Sequence, residues 1–140
     1  MNELEKCMAG EPYNCHDNVF LEFKAHAREL LKEYNALAYG EKEEKRNVLK
    51  QLFGEIGNNV SVGLPFLCDY GQNIYIGDNV SINMNCTFVD CNKITIGNNT
   101  LIASNVQLYT ATHPVPLADR LTPGWEPGSE EYFCRTYALP

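Results

Sequence analysis

Ile56-Gly57-Asn58-Asn59-Val60-Ser61-Val62 is echoed by Ile76-Gly77-Asp78-Asn79-Val80-Ser81-Ile82 and again by Ile96-Gly97-Asn98-Asn99-Thr100-Leu101-Ile102. The copies begin at 56, 76 and 96, a period of 20. Inside each period the aliphatic positions step by six, from Ile56 to Val62 to Cys68, from Ile76 to Ile82 to Phe88, and from Ile96 to Ile102 to Leu108; eight residues then lead to the next copy. A six-residue step is one short strand plus one turn, and three such units close a triangular coil of a parallel β-helix. This register predicts three inward stacks: Ile56, Ile76 and Ile96; Val62, Ile82 and Ile102; Cys68, Phe88 and Leu108. Val60, Val80 and Thr100, with Phe66, Cys86 and Val106, fill the space between them. The Gly-Asn-Asn and Gly-Asp-Asn steps fall at corners, where these residues tolerate the left-handed backbone of a sharp turn, and the longer third unit makes a bulged corner. Unrelated hairpins would not hold register through three copies.

Ahead of the repeats, Val19, Phe20, Phe23, Ala27, Leu30, Leu31 and Tyr34 recur at steps of three and four, the signature of an amphipathic helix, with Asp17 at its N-cap. Asn35 and Gly40 offer a stop, and Val48, Leu49, Leu52 and Phe53 give a shorter stripe behind a charged first turn. Two helices are therefore expected in an arm over residues 1–54, followed by coils over 55–110. After Leu108 the rhythm breaks, and Tyr109-Thr110-Ala111-Thr112-His113-Pro114 leads into a segment with Pro116, Pro123, Gly124, Pro127 and Gly128. Residues 111–140 read as a long loop, a feature compact domains keep mainly for function.

The 140 residues are 44% hydrophobic, enough to bury one core, and carry a formal net charge of -7. No basic stripe exists to track phosphates, because Lys42 to Arg46 is interleaved with Glu43 and Glu44, so no nucleic-acid partner is expected. Neither a long apolar run nor the order of a signal peptide is present, which predicts a cytoplasmic protein with no membrane partner. Cys7, Cys15, Cys68, Cys86, Cys91 and Cys134 form no C-x-x-C pair and read as reduced thiols. No metal is expected: a metal-dependent carbonic anhydrase on this scaffold would need several histidines around one ion, and His113 alone lies in the repeat region, His16 and His26 being surface residues of the arm.

The spaced I-G-x-N units, the A-T-H-P at 111–114 and the helical arm together resemble the maltose and galactoside O-acetyltransferases, hexapeptide-repeat acyltransferases. The resemblance covers almost the whole chain. It includes Ala9-Gly10-Glu11-Pro12-Tyr13, Cys68-Asp69-Tyr70-Gly71, Asn83-Met84-Asn85-Cys86 and Val89-Asp90. It implies a left-handed β-helix, a homotrimer with the acceptor in a cleft between neighbouring prisms, acetyl-CoA as co-substrate along the interface, and direct acetyl transfer to a hydroxyl of a sugar or other small hydroxylated acceptor.

Direct transfer needs one base of near-neutral pKa, which imidazole supplies, and His113 stands where the family keeps that base. By the same analogy Asn83 stabilises the oxyanion or fixes the acceptor. Asp17, Asp69 and Asp90 are placed near the sugar, whose vicinal hydroxyls carboxylates bind. Each acid has a second reading, Asp17 as a helix cap, Asp69 as a turn residue, Asp90 as a stabiliser of its own corner. The galactoside branch has a second acid where this chain has Cys91. The family's further coils, where acetyl-CoA binds, are expected to lie beyond Pro140, so no cofactor-binding residue is assigned. The alternative expectation is a shortened, catalytically impaired remnant of such an enzyme, acting at most as an oligomeric binding or structural protein.

Overall fold

The computed structural model describes residues 1–120, 131–134 and 137–139. The arm contains α1 (Glu3–Ala9), β1 (Tyr13–Asn14), α2 (Asn18–Asn35) and α3 (Lys42–Leu52). Three coils follow: β2 (Glu55–Ile56), β3 (Val60–Val62) and β4 (Phe66–Cys68); then β5 (Ile74–Ile76), β6 (Val80–Ile82) and β7 (Cys86–Val89); then β8 (Ile94–Ile96), β9 (Leu101–Ile102) and β10 (Gln107–Tyr109). Each strand pairs in parallel with its counterpart 20 residues on, so Ile56 lies opposite Ile76 and Ile76 opposite Ile96. Val62, Ile82 and Ile102 form the second predicted stack, and Cys68, Phe88 and Leu108 the third.

Inside, these stacks join one core cluster with Phe66, Val80 and Cys86, and Phe66 meets Phe88 edge to face at 5.2 Å. Outside, the corners are ladders of asparagine. Asn59, Asn79 and Asn99 take positive φ of 56–59°, and Asn85 and Asn105 of 62° and 63°. Asn tolerates this region better than other side chains bearing a Cβ, which is why the third residue after each isoleucine is Asn. The amides then bond up the axis, Asn59 Nδ2 to Asn79 Oδ1 at 2.9 Å and Asn79 Nδ2 to Asn99 Oδ1 at 3.1 Å. Gly77 has its own reason: a Cβ there would collide with the Asn98 side-chain oxygen, itself needed by the Asp78 N–H.

The arm covers the open edge of the first coil. α2 and α3 bury Leu30, Leu31, Tyr34, Val48, Leu49 and Leu52 against the prism. Polar side chains replace the strand that would otherwise pair there. Tyr34 Oη donates to Val62 O at 2.6 Å, Arg46 Nη1 to Gly57 O at 2.9 Å, and Asn35 both donates to Phe66 O and accepts from Phe66 N–H at 2.9 Å. Burial pushes the Tyr34 phenol up to about 12, so it stays a neutral donor.

Two expectations need correction. The arm has three helices, not two: α1 is seven residues long, too short to display a repeating face, yet Asn2 and Glu5 form a capping box and Gly10 closes it with φ 78°. Residues 111–140 are more than a loop. β11 (Ala111–Thr112), α4 (Leu117–Arg120), β12 (Glu131–Cys134) and β13 (Tyr137–Leu139) lie within them. β13 runs parallel to β8, with Leu139 opposite Ile96, and so begins a fourth layer where no further coil was expected. Apolar Tyr137-Ala138-Leu139 repeats the β8 pattern after an insertion, which broke the 20-residue count and hid the register. Pro123, Gly124, Pro127 and Gly128 of the expected loop lie outside the described residues. No described helix is long and apolar enough to cross a membrane.

Candidate active site

The bulged corner between β4 and β5 is where the extra residues of each period go. Chain reversal at Gly71, φ 77°, turns the N–H groups of Asp69, Tyr70 and Asn73 toward the axis, where no strand receives them. Asp90 does: Oδ1 accepts from Asp69 N at 3.0 Å and Tyr70 N at 2.8 Å, and Oδ2 from Asn73 N at 3.3 Å. Asn73 Nδ2 returns a bond to Asp90 O at 2.8 Å. Asp90 is 0% exposed. Burial pushes its carboxyl up to about 7 against the pull of the Tyr70 N–H, with the Asp69 carboxylate adding to the rise.

One coil higher, Asn92 and Thr110 fix the departure of the chain. Thr110 is buried; its N–H and Oγ1 both donate to Val89 O, at 3.0 and 2.9 Å, and Oγ1 accepts from Asn92 N at 2.9 Å. Asn92 Nδ2 donates to the carbonyls of Cys7 and Met8 at 3.1 and 3.2 Å, which docks the end of α1 on this corner. From Thr110 the chain enters β11, which pairs antiparallel with β12, and β12 pairs antiparallel with β1. β1 and β11 therefore run in the same direction. His113, one residue past β11, and Asp17, three past β1, leave the sheet at the same end.

His113 is thus held by a strand rather than carried on a free loop, and its side chain is exposed. Asp17 is half-buried and Oδ1 accepts from Val19 N at 3.1 Å, so it caps α2. A side cluster of Cys7, Tyr13, Cys15, Phe20, Tyr70 and Cys91, with Val89 and Ala111 against it, links the arm, the bulged corner and β11. Asp69 lies at the rim of this cluster, half-buried, with Cys91 Sγ at 3.3 Å from Oδ2. The fold therefore carries Asp17 and His113 out of one sheet at the same end, holds Asp69 against the side cluster through Cys91, and turns Asp90 to the backbone of the bulged corner. Asn83 is elsewhere. It is exposed at the corner between β6 and β7, its N–H bonded to Ile102 O at 2.9 Å and its Oδ1 accepting from Met84 N at 2.7 Å. Asn83 and His113 flank the face built of β4, β7 and β10 from opposite sides. The four residues of β7 lie between the two corners, about 13 Å of strand.

Thr110, Asn92 and Asn73 carry this geometry and were not singled out in the sequence, because a polar residue at a corner looks like any solvent-facing turn residue. Among the described residues no cluster of His, Cys, Asp and Glu could hold a metal ion.

A triangular parallel β-helix with hexapeptide spacing, a helical cap and a histidine where the insertion leaves the third coil defines the hexapeptide-repeat transferase class. Residues 6–57 match the family model of the maltose acetyltransferase hexapeptide capping motif. A maltose O-acetyltransferase from Clostridium difficile 630 is 34% identical, with TM-score 0.88, over 97% of this chain and 69% of that one. A galactoside acetyltransferase solved with coenzyme A is 32% identical, with TM-score 0.87, over 97% of this chain and 64% of that one. Nodulation protein L of Rhizobium meliloti is 41% identical over 112 residues, 80% of this chain and 61% of that protein. The chain belongs to the hexapeptide-repeat acetyltransferases of the maltose and galactoside O-acetyltransferase type, with their left-handed β-helix. It spans about three fifths of the length of the curated relatives it matches.

Proposed function

We propose that the protein is an acetyl-CoA-dependent O-acetyltransferase of the cytoplasm that transfers acetyl directly to a hydroxyl of a sugar or similar small acceptor. His113 is the general base. The imidazole takes the hydroxyl proton as the oxygen attacks the thioester carbonyl; the C–O bond forms, the carbonyl becomes an oxyanion, and the C–S bond breaks as the proton passes to the leaving thiolate. Asn83 donates to the oxyanion or holds the acceptor. Asp17 and Asp69 accept hydrogen bonds from acceptor hydroxyls, while Asp90 acts through the Asp69 backbone that it fixes.

The observation that carries the proposal is the common exit of His113 and Asp17 at one end of the β1, β12 and β11 sheet. The separation of Asn83 from His113 favours a homotrimer in which one prism brings Asn83 to the His113 corner of its neighbour. Release of free coenzyme A from acetyl-CoA with maltose, glucose and a galactoside tests this. His113→Ala should lower kcat by about 100-fold or more, the scale of general-base catalysis. Full activity in His113→Ala would refute the base. A mixture of His113→Ala and Asn83→Ala chains should regain activity at mixed interfaces; no regain would refute the shared site.

A further inference from the structure

A cationic cavity lies beside the first coil, whereas His113 follows the third. It holds about 290 Å³ between α3 and the coil edge, near the lower end of the roughly 300–1,000 Å³ usual for ligand pockets. Lys42, Lys45, Arg46 and Leu49 stand at i, i+3, i+4 and i+7, one face of α3, and form one wall; residues 59–62 form the other. Glu43 and Glu44 fall on other faces of the helix, and Glu41 is turned back to accept from Ala38 N–H at 2.5 Å. Among the described residues none of the three cations is paired with a carboxylate, in a chain of net charge -7. Converging cations repel one another, and Lys42 also stands at the positive end of the α3 dipole, so the fold carries a cost that a bound anion removes.

The donors are partly fixed in place. One guanidinium N–H of Arg46 holds Gly57 O at 2.9 Å, which orients the fork and leaves its other donors to the cavity. Asn79 N–H donates to Asn58 O and Asn99 N–H to Asp78 O, each to the coil before it. Asn59 belongs to the first coil and has none before it; among the described residues nothing accepts from its N–H. At the rim the Tyr39 ring is 93% exposed, with Lys45 Nζ 5.9 Å from its centre.

We propose that this cavity binds a small phosphomonoester, a phosphorylated sugar, with its dianion on Lys42, Lys45, Arg46 and the Asn59 N–H and its ring against Tyr39. A phosphate fits better than a carboxylate because three oxygens accept from several donors at once and two charges answer three cations. The site uses neither His113 nor Asn83 and stands whether or not the chain transfers acetyl.

Calorimetric titration of the full chain with glucose 6-phosphate, inorganic phosphate and glucose tests it. Glucose 6-phosphate should bind with Kd below about 1 mM, about tenfold tighter than inorganic phosphate, and glucose should not displace it. Lys42→Glu, which the α3 dipole favours, and Lys45→Gln should each weaken binding about tenfold with Tm unchanged, the loss of one charge-assisted bond. Tyr39→Ala should reduce the affinity to that for inorganic phosphate, and the Asn59 amide signal should shift on titration. Binding that both lysine variants leave within about twofold, or no binding at about 10 mM, would overturn the site. Equal affinity for inorganic phosphate would overturn the sugar assignment, and displacement by glucose would move the ligand to the proposed acceptor corner and overturn the cavity.

Discussion

Asn35 is the sharpest test of how the prism is closed. Its side-chain amide donates to Phe66 O and accepts from Phe66 N–H, both at 2.9 Å, so one residue of α2 imitates the strand that the first coil lacks. Phe66 is 0% exposed and touches both Phe53 and Phe88, so water has little access to the two backbone groups if the amide is removed. Leaving a buried donor or acceptor unsatisfied costs about 1–3 kcal/mol each, and partial access past the half-buried Asn35 lowers the sum to about 2–4 kcal/mol. Alanine at the end of α2 returns only about 0.5 kcal/mol through helix propensity. Asn35→Ala should therefore lose about 2–3 kcal/mol, a large share of the 5–15 kcal/mol typical of a domain.

Urea unfolding followed by circular dichroism reads this as a fall in midpoint of about 1–1.5 M at a slope near 2 kcal/mol/M. Asn35→Asp separates the two bonds. Ionised aspartate keeps the acceptor for Phe66 N–H but turns an oxygen on Phe66 O; below pH about 4 the protonated acid regains an O–H donor, so its deficit against the unaltered chain should shrink. An Asn35→Ala loss under 0.5 kcal/mol, or an Asp deficit independent of pH, would show that the arm closes the prism by apolar contact alone.

Asp90 should make stability fall as pH rises. Burial holds its folded pKa at about 7, above the ordinary 3.8, so the folded state binds the extra proton and up to about 4 kcal/mol is lost as pH rises from about 4 through 7, levelling off above about 8. Asp90→Asn should cost about 1–3 kcal/mol at pH 5, since its amide faces the Asn73 N–H, and should lose this pH dependence; identical urea profiles at pH 5 and 8 in both proteins would refute the assignment. At the corner ladder, Asn79→Ala must hold φ 57° without help and should lower Tm by about 3–6 °C, whereas Asn79→Gly should cost roughly half as much. Equal losses would place the whole effect in the ladder bonds. Asn92→Ala frees the carbonyls of Cys7 and Met8 but leaves its own N–H to Thr110, so hydrogen exchange should quicken in residues 1–15 with protection of the coils unchanged; unaltered exchange in residues 1–15 would refute that tether.

The coils were legible because their information is redundant. Each inward position is specified three times at a spacing of 20, so Cys68 falls into register beside Phe88 and Leu108 although cysteine alone says little. β13 was not legible, because Tyr137 lies opposite Ile94 across an insertion and no count of 20 reaches it. His113 and Asn83 entered through resemblance to a family, and the residues that hold the His113 segment, Thr110 and Asn92, are single polar residues whose burial depends on what stacks above and below. A sequence shows the period of a solenoid far better than the contents of its corners.

The arm joins stability to chemistry. α2 and α3 close the first coil through Tyr34, Asn35 and Arg46, while α1 and β1 reach past the second and third coils to Asn92 and β12. β12 in turn holds β11, and β11 ends at His113. The 54 residues ahead of the repeats thus contact the prism at its closed end and along one corner, and the second contact runs through the sheet that presents the proposed base. Loosening α1 should alter the orientation of His113 without unfolding the coils, because the coils keep their own core and ladders. That separation explains why Asp90 and Thr110 are buried beside an exposed imidazole: bonds to Val89 O and to the bulged corner fix the exit of the chain before it reaches β11, so the histidine inherits the rigidity of the prism from one side and that of the arm from the other.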